Sequence, residues 1–249
     1  MFADSHAHLT SDALFPYLAD IVQRANAAKV TRIVNICTDI SSLQRGIELN
    51  QMYPWIVNVA ATTPHDVDQL GESDFAIMEE AAKNGQLVGI GETGLDYHYN
   101  HSSPSSQQKF LKRYSKLAEK YKLPLVIHCR EAFNDLFHFL DYDRVLLHCF
   151  TGTLDEAKEA IKRDWRLSLS GIVTFKKSYH LKEIAQWVPI ENLLIETDAP
   201  YLSPANKRGS INEPSYLPET AAHIAELKGT SLEEIAKITT SNTLKFFKL

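Results

Sequence analysis

The sequence is poor in cysteine and has no excess of positive charge. Its 249 residues include three cysteines, which are Cys37, Cys129 and Cys149. An odd number at unrelated spacings gives neither a disulfide framework nor the paired cysteines of a structural zinc site. The formal net charge is -5, whereas a protein that holds nucleic acid on a broad basic surface is normally basic. Any contact with nucleic acid must therefore be local.

Long apolar runs and targeting patterns are also absent. No apolar run approaches the length of a membrane span, and the first residues lack the basic, apolar and small-residue pattern of a signal peptide. We therefore expect a soluble protein of a reducing compartment, the cytoplasm, that has no contact with membranes. Because no linker or low-complexity segment divides the chain, residues 1–249 are predicted to form a single domain. No feature indicates an obligate protein partner.

The sequence does contain a regular alternation of short apolar runs and longer amphipathic stretches. Eight runs rich in Val, Ile and Leu are candidate strands: Phe2–His8, Arg32–Thr38, Ile56–Ala61, Leu87–Glu92, Leu125–Cys129, Val145–Cys149, Leu167–Ser170 and Leu193–Thr197. Most of them are continuously apolar, which is typical of parallel strands buried on both faces.

Helix start signals lie between these runs. They are Ser103-Pro104, Ser41 with Gln44, Thr153 with Glu156, and Ser231 with Glu234. Eight β/α units in a chain of this length predict a single (β/α)8 TIM barrel, with an additional C-terminal helix that begins after Ser231. An open doubly wound sheet is the alternative. It is less favoured because the first β/α connection lacks a glycine-rich dinucleotide-binding turn.

Side chains capable of chemistry stand at the C-terminal ends of five predicted strands, where a TIM barrel places its active site. His6 and His8 share one face of the first strand because strand residues alternate between faces. The other four stand at the ends of the fourth, fifth, sixth and eighth strands: Glu92, His128, His148 and Asp198. Each one alone is also compatible with a buried or capping residue. Their agreement on one end of the barrel predicts a metal centre.

Four imidazoles and two carboxylates are too many ligands for one tetrahedral zinc ion and indicate two divalent ions. Glu92 is the candidate bridge, because a carboxylate can offer one oxygen to each ion. The expected ligands of the two ions are His6, His8, Glu92 and Asp198 for one, and Glu92, His128 and His148 for the other. Two adjacent ions can activate a shared water, and Asp198 is the candidate general base for that water.

Two further carboxylates lie near these ligands in the sequence. Asp4 can orient a ligating histidine through a hydrogen bond. Glu196 shares the inward face with Asp198 and is either a similar partner or buried for a structural reason. Carboxylate ligands suit magnesium or manganese, whereas imidazoles suit zinc, so the identity of the metal stays open.

Together these motifs resemble the TatD family of metal-dependent deoxyribonucleases, a branch of the amidohydrolase-like barrels. The resemblance runs from Phe2 to the last helix, and its main segments are residues 4–8, 89–97, 127–130, 148–152, 170–175, 196–201 and 212–214. It implies a divalent-metal phosphodiesterase that acts on DNA. Members typically act as exonucleases on single-stranded or frayed 3′ ends, supported by magnesium or manganese.

The resemblance also implies residues that contact the substrate. Arg130 and the loop around Lys207 and Arg208 are candidates for holding phosphate. Tyr97 and Tyr201 are candidates for lining the substrate cleft.

The sequence departs from the family pattern at two positions. Thr63 stands where many members have a histidine after the third strand. His65 is a second candidate for that role, although we expect it at the surface. Ile211 stands where many members have a basic residue before Asn-Glu-Pro. Both departures concern the substrate and leave the predicted metal ligands intact.

Two other functions compete with the deoxyribonuclease. A different metal-dependent hydrolase on the same barrel, such as an amidase, lactonase, phosphotriesterase or aminoacyl-tRNA ester hydrolase, is open because two ions can activate water against several electrophiles. Many amidohydrolases bridge their metals with a modified lysine on the fourth strand, so Glu92 favours the deoxyribonuclease. A non-catalytic metal-binding scaffold is the second competitor, and the complete ligand set with its candidate base argues against it.

Overall fold

The computed structural model describes residues 1–99 and 101–249, and its strands form one eight-stranded parallel sheet. The strands are β1 (Phe2–Ala7), β2 (Val30–Cys37), β3 (Ile56–Ala60), β4 (Gly89–Asp96), β5 (Leu125–Arg130), β6 (Val145–Leu147), β7 (Arg166–Leu169) and β8 (Leu193–Ile195). Each strand pairs with the next in the chain, and Ala7 bridges in parallel to Ala199 beyond β8. The sheet therefore curls into a nearly closed barrel.

Helices alternate with the strands around the outside of this barrel. They are α1 (Leu18–Ala27), α2 (Ile40–Met52), α3 (Gly71–Lys83), α4 (Pro104–Tyr121), α5 (Phe133–Phe139), α6 (Leu154–Lys162), α7 (Tyr179–Trp187), α8 (Leu217–Lys228) and α9 (Leu232–Phe247). The predicted (β/α)8 barrel with an additional C-terminal helix is confirmed. No helix in the described ranges is long and apolar enough to cross a membrane.

Most of the predicted helix starts are confirmed. Ser103, Thr153 and Ser231 are the N-caps of α4, α6 and α9. The prediction for α2 was wrong by two residues, because its N-cap is Asp39 rather than Ser41. The Asp39 carboxylate accepts from the backbone N–H of Ser42 at 2.7 Å, and the Ser42 hydroxyl oxygen accepts from the Asp39 N–H at 3.1 Å. This reciprocal pair satisfies two N–H groups that the helix itself cannot.

The barrel interior is filled by a small apolar cluster at its N-terminal end. Its members are Val34, Ile36, Val57, Val59, Val126, Leu146, Leu194 and, from α9, Phe247. Full burial of each such side chain is worth about 1.5–3 kcal/mol. Because strand side chains alternate, the next inward positions along β5, β6 and the end of β8 fall to His128, His148 and Glu196. Polar side chains therefore occupy the barrel interior beyond the apolar cluster, at the C-terminal end.

Strand β4 is longer than the sequence predicted. It continues past Glu92 to Asp96, with a register shift against β5 between Ile90 and Thr93. A Cβ atom at Gly94 would lie 1.9 Å from the carbonyl oxygen of His128, so only glycine allows β4 to approach β5 this closely. The longer strand brings Asp96 to the mouth of the barrel beside β5.

Candidate metal centre

Two histidines and a carboxylate from the ends of β1 and β8 converge with Glu92 of β4. The Nε2 atoms of His6 and His8 lie 3.2 Å apart. Nε2 of His6 is 3.4 Å from Oε2 of Glu92, and Nε2 of His8 is 3.4 Å from Oδ1 of Asp198. Two imidazole nitrogens that face each other beside two carboxylate oxygens are a donor set that fits a divalent cation.

A second group of donors lies on the other side of Glu92. Nδ1 of His128 is 3.1 Å from Oε1 of Glu92, and Nε2 of His148 is 3.0 Å from the same oxygen. The two oxygens of Glu92 therefore face different pairs of histidines. The structure thus brings together all six residues that the sequence predicted as ligands, in two groups that share Glu92.

Carboxylates hold the far edges of the two histidines in the second group. Nε2 of His128 donates to Oδ2 of Asp96 at 2.8 Å. Nδ1 of His148 is 3.4 Å from Oε1 of Glu196, which is completely buried. A proton on each of these nitrogens leaves the lone pair of the other ring nitrogen directed at the Glu92 side, as a metal ligand requires.

Asp4 has a different position. Its carboxylate accepts from the hydroxyl of Thr197 at 2.6 Å, from the backbone N–H of Thr197 at 2.9 Å and from that of His6 at 3.3 Å. Among the described residues, no imidazole donates to it. Burial raises the pKa of Asp4 to about 7 despite these donors. Asp4 therefore links β1 to the chain after β8 and positions His6 through its backbone.

The turn after β8 aims Asp198 into the centre. The backbone N–H of Asp198 donates to the carbonyl of His6 at 2.9 Å, and its φ angle is 57°. Asp is one of the few residues that adopt this left-handed conformation without large strain. The turn fixes the Asp198 carboxylate beside His8.

The charges in the centre are strongly coupled. Burial opposes ionisation of Glu92, but the charge of His148 and a hydrogen bond from His128 hold the pKa of Glu92 well below its usual value. Burial likewise opposes a charge on His148, yet Glu92 and Glu196 raise the pKa of His148 well above its usual value. Burial and the charge of His148 lower the pKa of His6, which favours the neutral imidazole. The excess of carboxylates over cations is what divalent ions would neutralise.

A cavity of about 950 Å³ lies above these donors at the mouth of the barrel. Of the residues predicted to contact the substrate, Arg130 and Tyr201 line it. Tyr97 is not among the residues that line the cavity in the described part of the chain, and its hydroxyl donates to Oδ2 of Asp135 at 2.7 Å. Arg208 lies outside the described lining too, with its guanidinium 5.5 Å from the ring centre of Phe175.

Residues 3–248 of the chain match the family model described as TatD related DNase. The chain belongs to this family. It is 38% identical over 254 residues to a Bacillus subtilis (strain 168) protein named "Uncharacterized metal-dependent hydrolase YabD", and the match covers 100% of both chains. It is 32% identical over 257 residues to the "3'-5' ssDNA/RNA exonuclease TatD" of Citrobacter rodentium (strain ICC168), covering 98% of this chain and 97% of that relative.

A solved structure agrees with this assignment. The crystal structure of YJJV, a TatD homologue from Escherichia coli K12, is 25% identical to the chain and superimposes with a TM-score of 0.94. The match covers 100% of this chain and 98% of that one. The resemblance to the TatD family is therefore confirmed, and the protein is a metal-dependent hydrolase.

Thr63 lines the cavity. Its hydroxyl donates to Oδ2 of Asp66 at 3.1 Å. His65, which we expected at the surface, instead lies in the cavity wall with its side chain 25% exposed. Its Nε2 atom is 3.7 Å from Oδ2 of Asp96, and its ring centre is 5.3 Å from that of His128.

Ile211 is 60% exposed, and the two residues after it hold the loop in place. The side-chain amide of Asn212 donates to the carbonyls of Thr197 and Tyr201 at 2.8 and 2.6 Å. Glu213 accepts from Nε and Nη2 of Arg24 at 2.8 and 2.6 Å. The Asn-Glu pair of this motif therefore joins the loop after β8 to α1.

Proposed function

We propose that the protein cleaves phosphodiester bonds of DNA with two divalent ions, as an exonuclease that acts at the 3′ end of single-stranded or frayed DNA. The observation that carries the proposal is the position of Glu92, whose two oxygens face two pairs of histidines beneath a cavity of about 950 Å³. The relative named a 3′-5′ ssDNA/RNA exonuclease supports nucleic acid as the substrate.

Different residues of the site have different roles in such a reaction. Two divalent ions, of which magnesium or manganese suits the carboxylates and zinc the imidazoles, would lower the pKa of a shared water and neutralise phosphate charge. Asp198 lines the cavity and would accept the proton of the attacking water. Glu196 and Asp96 keep the rings of His148 and His128 oriented.

Arg130 provides a cation for the substrate phosphates. It lines the cavity, and it forms no ion pair with any residue in the described parts of the chain. Arg45, the other arginine of the described lining, donates to Oδ1 of Asp12 at 2.7 Å and is thereby neutralised. The planar guanidinium of Arg130 is free to bind phosphate oxygens at two points.

The proposal is tested with end-labelled oligonucleotides. Single-stranded DNA, double-stranded DNA and single-stranded RNA are incubated with the metal-free protein, to which magnesium, manganese or zinc is added in turn. We expect stepwise shortening of single-stranded DNA from its 3′ end, which a chelator abolishes. A protein that binds metal and hydrolyses a carboxylic ester or an amide, but leaves all three nucleic acids intact, would show that the proposed substrate is wrong.

A further inference from the structure

One wall of the cavity carries an aromatic and cationic surface, in which two rings meet edge to face and a guanidinium lies over one of them. We call it the aromatic shelf, formed by His65, Tyr99 and Arg130, all of which line the cavity. The guanidinium carbon of Arg130 lies 4.7 Å from the ring centre of Tyr99, and the rings of His65 and Tyr99 are 5.7 Å apart. Tyr99 is 52% exposed. A large aromatic side chain is thus presented to the space above the metal centre.

Hydrogen bonds fix the loop that carries Tyr99. Oδ1 of Asp96 accepts from the backbone N–H groups of His98 and Tyr99 at 3.0 and 2.9 Å. The other oxygen of Asp96 binds the ring of His128 at 2.8 Å. One carboxylate therefore sets both the position of a predicted metal ligand and the position of Tyr99.

The loop that carries His65 is tied to the same segment. The hydroxyl of Ser102, which is almost fully buried, donates to the carbonyl of His65 at 2.7 Å. It also accepts from the backbone N–H of Asp68 at 3.1 Å. The two loops that form the shelf are therefore fastened to each other, which favours a preformed binding surface.

A continuous series of ring contacts connects the metal centre to the shelf. From His128 the ring centres proceed to His65 at 5.3 Å and then to Tyr99 at 5.7 Å. A nucleotide whose phosphate lies beside His128 can place its base in this range. Aromatic rings and arginine planes are the surfaces on which proteins stack unpaired bases.

We propose that the aromatic shelf binds the nucleobase of the nucleotide whose phosphate lies at the metal centre. The inference rests on the proposed function and extends it, since it names the part of the substrate that the shelf binds: the nucleobase, whatever its identity. Stacking on Tyr99 is tolerant of base identity because every base has a π face. Substrates that lack a base, such as simple phosphodiesters, forgo this contact.

Equilibrium binding tests the shelf without requiring cleavage. The probes are deoxyadenosine 5′-monophosphate and deoxyribose 5-phosphate, which carries a hydroxyl in place of the base, and calorimetry is performed with manganese present. We expect the metal-loaded wild type to bind the nucleotide about 10-fold more tightly. Tyr99→Ala should reduce this preference to about 2-fold or less, while Tyr99→Phe, the matched control that keeps the ring, should retain it.

The same comparison is made in a kinetic experiment. The value of kcat/KM is measured for two single-stranded oligonucleotides, one with a normal 3′-terminal nucleotide and one with an abasic residue there. The preference for the normal end should disappear in Tyr99→Ala. A wild type without preference for the base, or a Tyr99→Ala protein that retains it, would overturn the inference.

These outcomes separate the two proposals. If the wild type prefers the nucleotide through Tyr99 but cleaves no DNA, the shelf stands and the proposed exonuclease is wrong. If DNA is cleaved without any preference for a terminal base, the exonuclease stands and the shelf is wrong.

Discussion

Asp96 and Glu92 lie at opposite edges of the His128 ring. Oδ2 of Asp96 is 2.8 Å from Nε2, and Oε1 of Glu92 is 3.1 Å from Nδ1. Burial opposes the charge of Asp96, but hydrogen bonds from His128 and from the Tyr99 N–H hold the pKa of Asp96 at about 2. The ionised carboxylate keeps the ring proton on Nε2 and leaves the Nδ1 lone pair for a metal ion.

Replacing Asp96 with Asn should therefore weaken metal binding. The amide can still accept the backbone N–H groups through its oxygen, but its NH₂ would donate to Nε2 of His128 and drive the ring proton to Nδ1. We expect a loss of about 10- to 100-fold in metal affinity, measured by titration of the metal-free protein. Asp135→Asn, which alters a carboxylate that accepts from Tyr97, is the control. Wild-type affinity in Asp96→Asn would contradict the orienting role.

Asp198→Asn should lower turnover more than it lowers stability. Asn tolerates the φ angle of 57° at this position, so the turn after β8 should persist. The amide cannot accept the proton of the attacking water, and we expect kcat to fall by about 10²- to 10⁴-fold. The measurement is kcat with saturating metal, and Asp155→Asn, which changes an exposed carboxylate on α6, is the control. A kcat that stays within the range of the control would show that Asp198 is not the base.

The sequence predicts best the residues whose position follows from strand periodicity. His6 and His8 share a face by alternation, and His128 and His148 each continue the inward row of an apolar strand. Asp96 was not predicted because β4 continues beyond Glu92, where Gly94 allows the strand to approach β5 closely. A glycine that recurs after the expected end of a strand is the signal that would have pointed to it.

Loop residues were less predictable, because distant contacts decide their paths. His65 lies in the cavity since Ser102, far away in the chain, holds its carbonyl. The extension of β4 to Asp96 also determines which of two tyrosines lines the cavity. Tyr97 contacts Asp135 on α5, and Tyr99 faces the cavity. Neither the contact with Ser102 nor the extension of β4 can be inferred from the residues adjacent to His65 or to the tyrosines.

The three thiols should react slowly in the folded protein. Burial raises the pKa of Cys37 to about 12, and it raises the pKa values of Cys129 and Cys149 above their usual value as well. Only the thiolate is a good nucleophile, so little of it forms at mildly alkaline pH. Ellman's reagent should titrate three thiols per chain in denaturant and react far more slowly without it. Rapid native reaction of one thiol would contradict this protection.

The contact between Arg24 and Glu213 should contribute to stability. Burial raises the pKa of Glu213, but the hydrogen bonds from Arg24 outweigh this effect and lower it below 4.5. A carboxylate with a lowered pKa stabilises the folded state above its unfolded pKa and loses this contribution as the pH falls through the folded value. Arg24→Ala should cost about 1 kcal/mol at neutral pH, and the difference from wild type should shrink in acid.

Denaturant unfolding at several pH values measures this difference. Lys109→Ala is the matched control, because Lys109 pairs with Glu72 where both side chains are more than half exposed. Exposed pairs contribute about 0–1 kcal/mol, so we expect the control to lie at the lower end. If Arg24→Ala is no less stable than Lys109→Ala at neutral pH, the loop after β8 does not depend on this pair.

Glu92→Gln should weaken metal binding and reduce the stability that the protein gains from metal. In the wild type, an ion that binds only the folded state at 100 times its Kd should add about 2.7 kcal/mol per site to the free energy of unfolding. Glu92 faces both pairs of histidines, so its replacement weakens both sites at once. We expect two ions per wild-type chain by elemental analysis, fewer in Glu92→Gln, and a smaller rise in Tm on addition of metal.

Glu72→Gln, at an exposed position, should behave like wild type. A Glu92→Gln protein that still binds two ions with the full rise in Tm would mean that the two groups of ligands do not depend on a shared carboxylate.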